Sequence, residues 1–290
     1  MKACISLYSY WKLVKVGKMT HYDALDEMKR IGAEAVELQV FSSSVPKGKS
    51  ISDYIRDLHA YAVKIGLEVP MLTMCANLYG PTADKDLAFL CELTDILSEC
   101  GVGFLRSDVT YSFLWNEPCR SYKTIIRSVA PYIRKLADYA QKKGVVLCTE
   151  NHGLIMQDSG RLEELFSAVN HENFRFLCDM GNFTDADEDC AAAVSALLPH
   201  ICYVHAKDFF LRSGMAYNPG TGFSRTRGGN YTRATIFGHG DVPTYQILRA
   251  LRSFGYDGYV SLEFEGIEDP IMANEIGLAN LCRMIGDLEK

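Results

Sequence analysis

Short apolar runs alternate along this chain with longer stretches in which apolar residues recur at helical spacing. Residues 3–7 read as a first strand. Thr20, with Asp23 three positions on, forms an N-terminal capping pattern in which Asp replaces the usual Glu, and the helix it opens runs to about Ile31. Residues 35–38 form a second strand. The span 51–65 is an amphipathic helix with Ile51, Ile55, Leu58, Ala62 and Ile65 on one face. A third strand covers 69–74. The helix over 84–100 stops at Gly101, where a glycine lets the chain turn left-handed. A short fourth strand at 104–106 precedes a long helix over 122–143.

The second half keeps the rhythm. Strands read at 145–150, 174–179, 201–206 and 259–264, and helices at 161–169, 188–198, 244–254 and 273–288. Strands that alternate with helices predict a parallel sheet. Eight such units within 290 residues predict an α/β fold, a closed (β/α)8 TIM barrel, as a single domain over 1–290. An open, doubly wound sheet should carry a glycine fingerprint after its first strand, and residues 9–18 contain no G-x-G-x-x-G. A polar, glycine-rich stretch at 213–240 is longer than a usual βα connection, the kind of loop that is either a functional lid or disordered.

Composition narrows the picture. The chain is 48% hydrophobic and 23% charged, ordinary for a globular protein, and long enough to bury a core without disulfides or a structural metal. A net charge of -6 argues against a nucleic-acid partner, because backbone binding rests on Lys and Arg neutralising phosphates. A small phosphorylated substrate stays open, since one cation in a pocket suffices. No run is long and apolar enough to span a bilayer, and residues 1–10 lack a signal-peptide core, so no membrane partner is expected. The ten cysteines include no C-x-x-C. Cys4, Cys148, Cys178 and Cys202 fall inside apolar runs, where a thiol packs as a small hydrophobe, and this usage points to a reducing cytoplasm.

In barrels of this kind the chemistry lies at the C-terminal ends of the strands. The fifth strand ends T-E-N-H-G, with Glu150 and His152, and the sixth C-D-M-G-N, with Asp179. The seventh ends V-H-A-K-D, with His205 and Lys207, and the eighth S-L-E-F-E-G, with Glu263 and Glu265. Side chains alternate along a strand, so the members of each pair share a side. Taken singly, a strand-end Glu is more often a salt-bridge or loop anchor, and a His on an apolar strand a satisfied core residue. Charges that follow apolar runs are costly to bury unless paired or bound to a metal. Two Glu, one Asp and one His converging from adjacent strands would make a hard, mostly oxygen ligand set. Mn2+ or Mg2+ suits such a set, with Zn2+, Co2+ or Fe2+ as alternatives.

These segments, with F-G-H-G-D-V at 237–242, carry a resemblance. In their order and strand spacing the chain resembles the sugar phosphate isomerase/epimerase superfamily, the xylose isomerase-like TIM barrels. That group includes ketose 3-epimerases, hydroxypyruvate isomerase, inosose dehydratase and endonuclease IV. Each motif alone is weak; the ordered set spans the chain and is densest from 145 to 266. The resemblance implies that Glu150, Asp179, His205 and Glu263 bind one divalent metal ion, usually Mn2+ in the epimerases. It also implies that Glu150 and Glu263 are the acid/base pair on opposite faces of a bound sugar. The chemistry is coherent: a proton next to a carbonyl is weakly acidic, and a metal that stabilises the enediolate lowers its pKa. One position departs. Ketose 3-epimerases typically carry a His three residues after the strand-six Asp. Here that position is Asn182, which can donate a hydrogen bond but cannot carry a proton at neutral pH, against a plain ketose 3-epimerase. The endonuclease branch uses a three-metal cluster with more histidine ligands, whereas this chain is acidic overall.

The substrate-binding candidates are His152, Asn182, Lys207, Arg233 and His239. Lys207 is expected to anchor a substrate oxygen or phosphate. His152 could polarise a substrate oxygen, act as a general base, or orient Glu150. His239, between Gly238 and Gly240, is either presented at the barrel mouth or part of a plain turn. Glu265 reads as a carboxylate that anchors a loop or supports the ligands, and not as a ligand itself. Arg233, with Arg212, Arg225, Arg227, Tyr217 and Tyr231 in the long loop, could close over a polyol or an anion, or pack against a second subunit in a homo-oligomer. Trp11 and Trp115 either line a sugar face or are ordinary packing residues, the commoner role of a single aromatic. The leading reading is a metal-dependent sugar or sugar phosphate isomerase/epimerase acting on a small sugar or polyol. A lyase or dehydratase on the same scaffold begins with the same proton abstraction. A non-catalytic carbohydrate-binding barrel is the third reading, though binding alone needs no acid/base pair.

Overall fold

Seven strands follow one another with helices between them: β1 (Lys2–Ser6), β2 (Ala35–Gln39), β3 (Glu68–Met74), β4 (Phe104–Ser107), β5 (Val146–Glu150), β6 (Phe174–Asp179) and β7 (Ile201–Ala206). Three short strands, β8 (Asp208–Arg212), β9 (Ser224–Arg225) and β10 (Tyr231–Thr235), precede the last, β11 (Tyr259–Leu262). In this computed structural model, which describes residues 1–110, 112–114, 118, 120–153 and 155–289, β11 pairs in parallel with β7 on one side and β1 on the other. That pairing closes the expected eight-stranded parallel barrel. The helices are α1 (Trp11–Lys15), α2 (His21–Arg30), α3 (Ile51–Lys64), α4 (Ala83–Cys100), α5 (Tyr122–Lys142), α6 (Ser159–Val169), α7 (Cys190–Leu197), α8 (Thr244–Phe254) and α9 (Pro270–Asp287). Among the described residues, no helix is long and apolar enough to cross a membrane.

Local chemistry sets several boundaries. Thr20 and Asp23 form a complete capping box at the start of α2. Gly101 ends α4 at φ 72°, in the left-handed region. The last helix begins earlier than its apolar pattern alone predicts, because Asp269 accepts from the amides of Ile271 and Met272 and Pro270 sits in the first turn.

Alternation along each strand divides the side chains between two cores. Outward residues such as Leu38, Leu72, Leu105, Leu147 and Val204 join helix residues such as Leu25, Leu58 and Leu93 in the main cluster. Each fully buried side chain of this size contributes about 1.5–3 kcal/mol. Inside the barrel, Met71, Cys148, Leu177 and Tyr203 form a separate apolar plug. Two residues further along the same four strands stand Thr73, Glu150, Asp179 and His205, all buried. The polar layer therefore lies on the apolar one, at the C-terminal end of the strands.

The stretch expected as a long loop is in part a sheet. β8, β10 and β9 form a three-stranded antiparallel sheet beside the barrel mouth. Its base is tied down by Asp208, whose carboxylate accepts from the amides of Gly238 at 2.9 Å, Gly240 at 2.8 Å and Val242 at 3.2 Å. Gly240 has to be glycine there, because a Cβ would lie 2.1 Å from Asp208 Oδ1. Thr232 and Asp185 (2.7 Å) and Thr226 and Asp187 (2.6 Å) clamp the sheet to the segment after β6.

Candidate functional site

Glu150, Asp179, His205 and Glu263 each place a ligand-type atom within 4.8 Å of the others. Register explains the convergence: Asp179 and His205 are partners on β6 and β7, and Ser261, two residues before Glu263, pairs with His205. His205 Nε2 lies 2.8 Å from Glu37 Oε2. Its Nδ1 therefore faces the carboxylates, 3.5 Å from Glu150 and 3.7 Å from Glu263. Two buried atoms in this cluster, His205 Nδ1 and Asp179 Oδ2, have no hydrogen-bond partner. Lys207 Nζ is 3.7 Å from Asp179 Oδ2, beyond hydrogen-bond reach. Leaving such groups unsatisfied costs about 1–3 kcal/mol each, and a bound cation would satisfy both. Three carboxylates and one imidazole are a donor set for a divalent ion, so the residues fit a metal.

The charges respond to this crowding. Burial, then Glu150 and Glu263 against the pull of Lys207, lifts the Asp179 carboxyl to about 7. Burial also works against ionised Glu150, but Arg106 and His205 outweigh it and hold that carboxyl well below its ordinary range. Arg106 Nη2 is 2.6 Å from Glu150 Oε2 and 2.7 Å from Asp108 Oδ1. Asn182 Nδ2 donates to Glu150 Oε1 at 3.0 Å, so both oxygens of Glu150 are held. His152 Nδ1 lies 3.1 Å from Asp108 Oδ1. Burial opposes charge on this imidazole, yet Asp108 keeps its pKa above the ordinary value. Lys207 Nζ lies 2.9 Å from both Glu263 Oε2 and Glu265 Oε2. Tyr8 donates to Glu265 Oε1 at 2.6 Å. Burial alone would raise the Glu265 carboxyl; Lys207 and Tyr8 bring it down to about 2.

Two chambers open from this centre. An inner cavity of about 150 Å³ is lined by Tyr8, Phe41, Thr73, Arg106, Glu150 and Glu263, among others. An outer one of about 400 Å³ runs beside the β8–β10–β9 sheet past Asn182, Gln157, Phe209 and Arg233. His152, Lys207 and Glu265 line both.

A barrel with this polar layer agrees with a sequence match over residues 25–281 to the xylose isomerase-like TIM barrel family. The chain belongs to that family. Several solved structures resemble it over nearly their whole length. A D-psicose 3-epimerase from Clostridium cellulolyticum, in a structure with D-tagatose, is 16% identical with a TM-score of 0.73, covering 99% of each chain. A probable 3-DHS dehydratase of petrobactin synthesis from Bacillus anthracis is 16% identical at 0.72, covering 97% of this chain and 99% of its own. A 3-keto-D-glucoside 4-epimerase from E. coli is 17% identical at 0.69, covering 98% and 99%. At such identities the likeness establishes the fold alone. No curated protein sequence matches the chain.

Of the candidates drawn from sequence, the four ligand-type residues come together. His152, Asn182, Lys207 and Arg233 line the chambers. The guanidinium of Arg233 lies over Phe210 and Phe223, 4.9 and 5.3 Å from the ring centroids. Of the two readings of His239, the structure is in keeping with the plain turn: the residue is exposed and lines neither chamber. The amides of its flanking glycines are turned onto Asp208, so F-G-H-G-D-V is a turn that anchors the small sheet. Tyr217 is 95% exposed, away from the chambers. Arg227 pairs with Asp158 at 2.6 Å. Trp11 packs on Phe41, centroids 4.3 Å apart, and Phe41 lines the inner chamber. Trp115 lies outside the described residues. Sequence reasoning missed Glu37, Arg106, Asp108 and Tyr8. Alternation back from the strand ends could have found two of them, since Arg106 follows Phe104 inward and Glu37 is the one charge in A-V-E-L-Q. Tyr8 and Asp108 lie beyond strand ends and gave no such signal.

Proposed function

We propose that this chain is a divalent-metal-dependent isomerase or epimerase of a sugar or sugar phosphate. The observation that carries the reading is the buried cluster of Glu150, Asp179, His205 and Glu263, with two unsatisfied ligand atoms, beside a chamber that Glu150 and Glu263 both line. Those four residues would hold the ion, and Mn2+ is the ion we favour. When bound, it supplies Lewis acidity that makes the proton next to a carbonyl easier to remove. The remaining work belongs to the chain. Glu150, kept ionised by Arg106 and oriented by Asn182, serves as the base that takes the proton from carbon. Glu263, paired with Lys207, stands with Glu150 around the same chamber and serves as the second acid/base group. Proton return to the opposite face gives an epimer, and return on the same face to the neighbouring carbon, with the hydroxyl proton passing from one oxygen to the other, gives an isomer. At about 150 Å³ the inner chamber is of the size that takes a single six-membered ring. Lys207, His152 and Arg233 would bind substrate oxygens or a phosphate.

A lyase or dehydratase is the second reading, favoured by one observation. His152, backed by Asp108, stands between the two chambers and could protonate a leaving oxygen. Asn182 cannot play that part. The epimerases and the dehydratase among the structural neighbours are in keeping with both readings.

Deuterium uptake from solvent at a substrate carbon, followed by NMR over ketoses, inososes and 3-keto-glycosides with Mn2+ present, tests the reading. Glu150→Gln and Glu263→Gln are expected to abolish uptake while the fold persists. Undiminished exchange in both variants would rule out these carboxylates. A product that has lost water or a glycosyl group would select the lyase.

A further inference from the structure

Glu37 takes no part in the chemistry above, yet it is fully buried. Its Oε1 accepts from Thr73 Oγ1 at 2.6 Å and from Ser6 Oγ at 3.4 Å, and its Oε2 meets His205 Nε2 at 2.8 Å. Strands β2 and β7 are not neighbours: β1 and β11 stand between them. The contact therefore crosses the interior of the barrel, joining residues 168 apart in sequence. A carboxylate this deep is costly unless its lone pairs are used. Here two hydroxyls and one ring N–H use them. A carboxylate only accepts, and the 2.8 Å approach of Nε2 to Glu37 Oε2 is the geometry of a ring N–H donating to it. With the proton held on Nε2, Nδ1 is the nitrogen left for a metal, and it is the one turned toward Glu150 and Glu263.

We propose that Glu37 is a positioning residue for the metal centre. It holds His205 protonated on Nε2 and rotated so that Nδ1 is the ligand atom, and so sets the affinity of the site from the far wall of the barrel. The proposal rests on the metal reading given above. Partners that orient a ligating His in this way typically change metal affinity by about 10–100-fold when removed.

The full-length protein is titrated with Mn2+, free ion being read by electron paramagnetic resonance, in wild type, Glu37→Gln and Glu37→Ala. Circular dichroism checks the fold. Binding weakened by about 10–100-fold in folded variants is expected. In the Zn2+-loaded wild type, 15N NMR of the His205 ring should show a metal-bound Nδ1 and a slowly exchanging Nε2 proton, and Glu37→Ala should lose the slow exchange. Unchanged Mn2+ affinity in the folded variants, or coordination through Nε2, overturns the proposal. If the Glu37 variants do not fold, Thr73→Val removes only the 2.6 Å bond to Glu37, and weaker Mn2+ binding is still expected. Unchanged affinity there also counts as refutation. Failure of the wild type to bind Mn2+ or Zn2+ would overturn the metal reading and this proposal together, whereas normal wild-type binding with unaffected variants overturns this proposal alone.

Discussion

Arg106 has three jobs in one guanidinium: it neutralises Glu150, neutralises Asp108, and through Asp108 fixes His152. Removing it takes the guanidinium charge from two buried carboxylates. Breaking a buried pair this way costs about 3–5 kcal/mol, so Arg106→Leu should shift the urea midpoint down by a corresponding amount. The pH dependence should change as well. In the fold the Glu150 carboxyl sits below its ordinary 4.5, with Arg106 the main cause that outweighs burial. Its contribution to stability is therefore present above pH 4.5 and is lost as the pH falls through the lower, folded value. Arg106→Leu should weaken that acid-side dependence, with His205 still holding the carboxyl down, and the acid limb of its activity profile should move to higher pH. Urea unfolding across pH 3 to 7, with a matching rate profile, checks both; identical slopes for wild type and variant would contradict the assignment.

At the scale of elements, the sheet formed by β8, β10 and β9 shows what pattern alone could not supply. Residues 213–240 are rich in glycine and polar residues, which reads as a loop. The strand residues do alternate, but the pairing that makes them a sheet depends on Asp208, before the loop, gathering amides after it. Asp208→Ala leaves four backbone donors, those of Phe209, Gly238, Gly240 and Val242, without that acceptor. We expect a loss of about 1–3 kcal/mol and faster amide hydrogen exchange at Gly238, Gly240 and Val242, with the barrel strands still protected. Equal exchange in variant and wild type would mean that the turn stands without Asp208. Two helix boundaries were legible because their causes are local: the Thr20 and Asp23 box and the Gly101 stop need only a few neighbouring residues.

For the molecule as a whole, the net charge of -6 has a partly local origin. Glu37, Glu150, Asp179, Glu263 and Glu265 crowd the mouth end of the barrel, where Arg106 and Lys207 only partly offset them. A ligand that binds only the folded state stabilises it by mass action, by about 2.7 kcal/mol at a concentration one hundred times its dissociation constant. Thermal unfolding of wild type should therefore rise with Mn2+ and fall on chelation, and His205→Ala or Asp179→Ala should flatten the response. A wild-type melting temperature indifferent to both Mn2+ and chelator would count against the metal centre.

The eight strand–helix units, and with them the barrel, follow from periodicity, because each amphipathic segment reports its own buried face. The ligand-type residues at strand ends were legible for the same reason: a charge after an apolar run is a local contradiction. Which charges meet across the barrel was decided only by closure. Glu37 and His205 become neighbours because the sheet returns on itself and directs both side chains inward, and Asp208 orders a loop through amides thirty and more residues away. One-dimensional pattern carries the parity of each side chain, in or out. It does not carry the partner across the barrel, because that distance exists only once β11 has paired with β1.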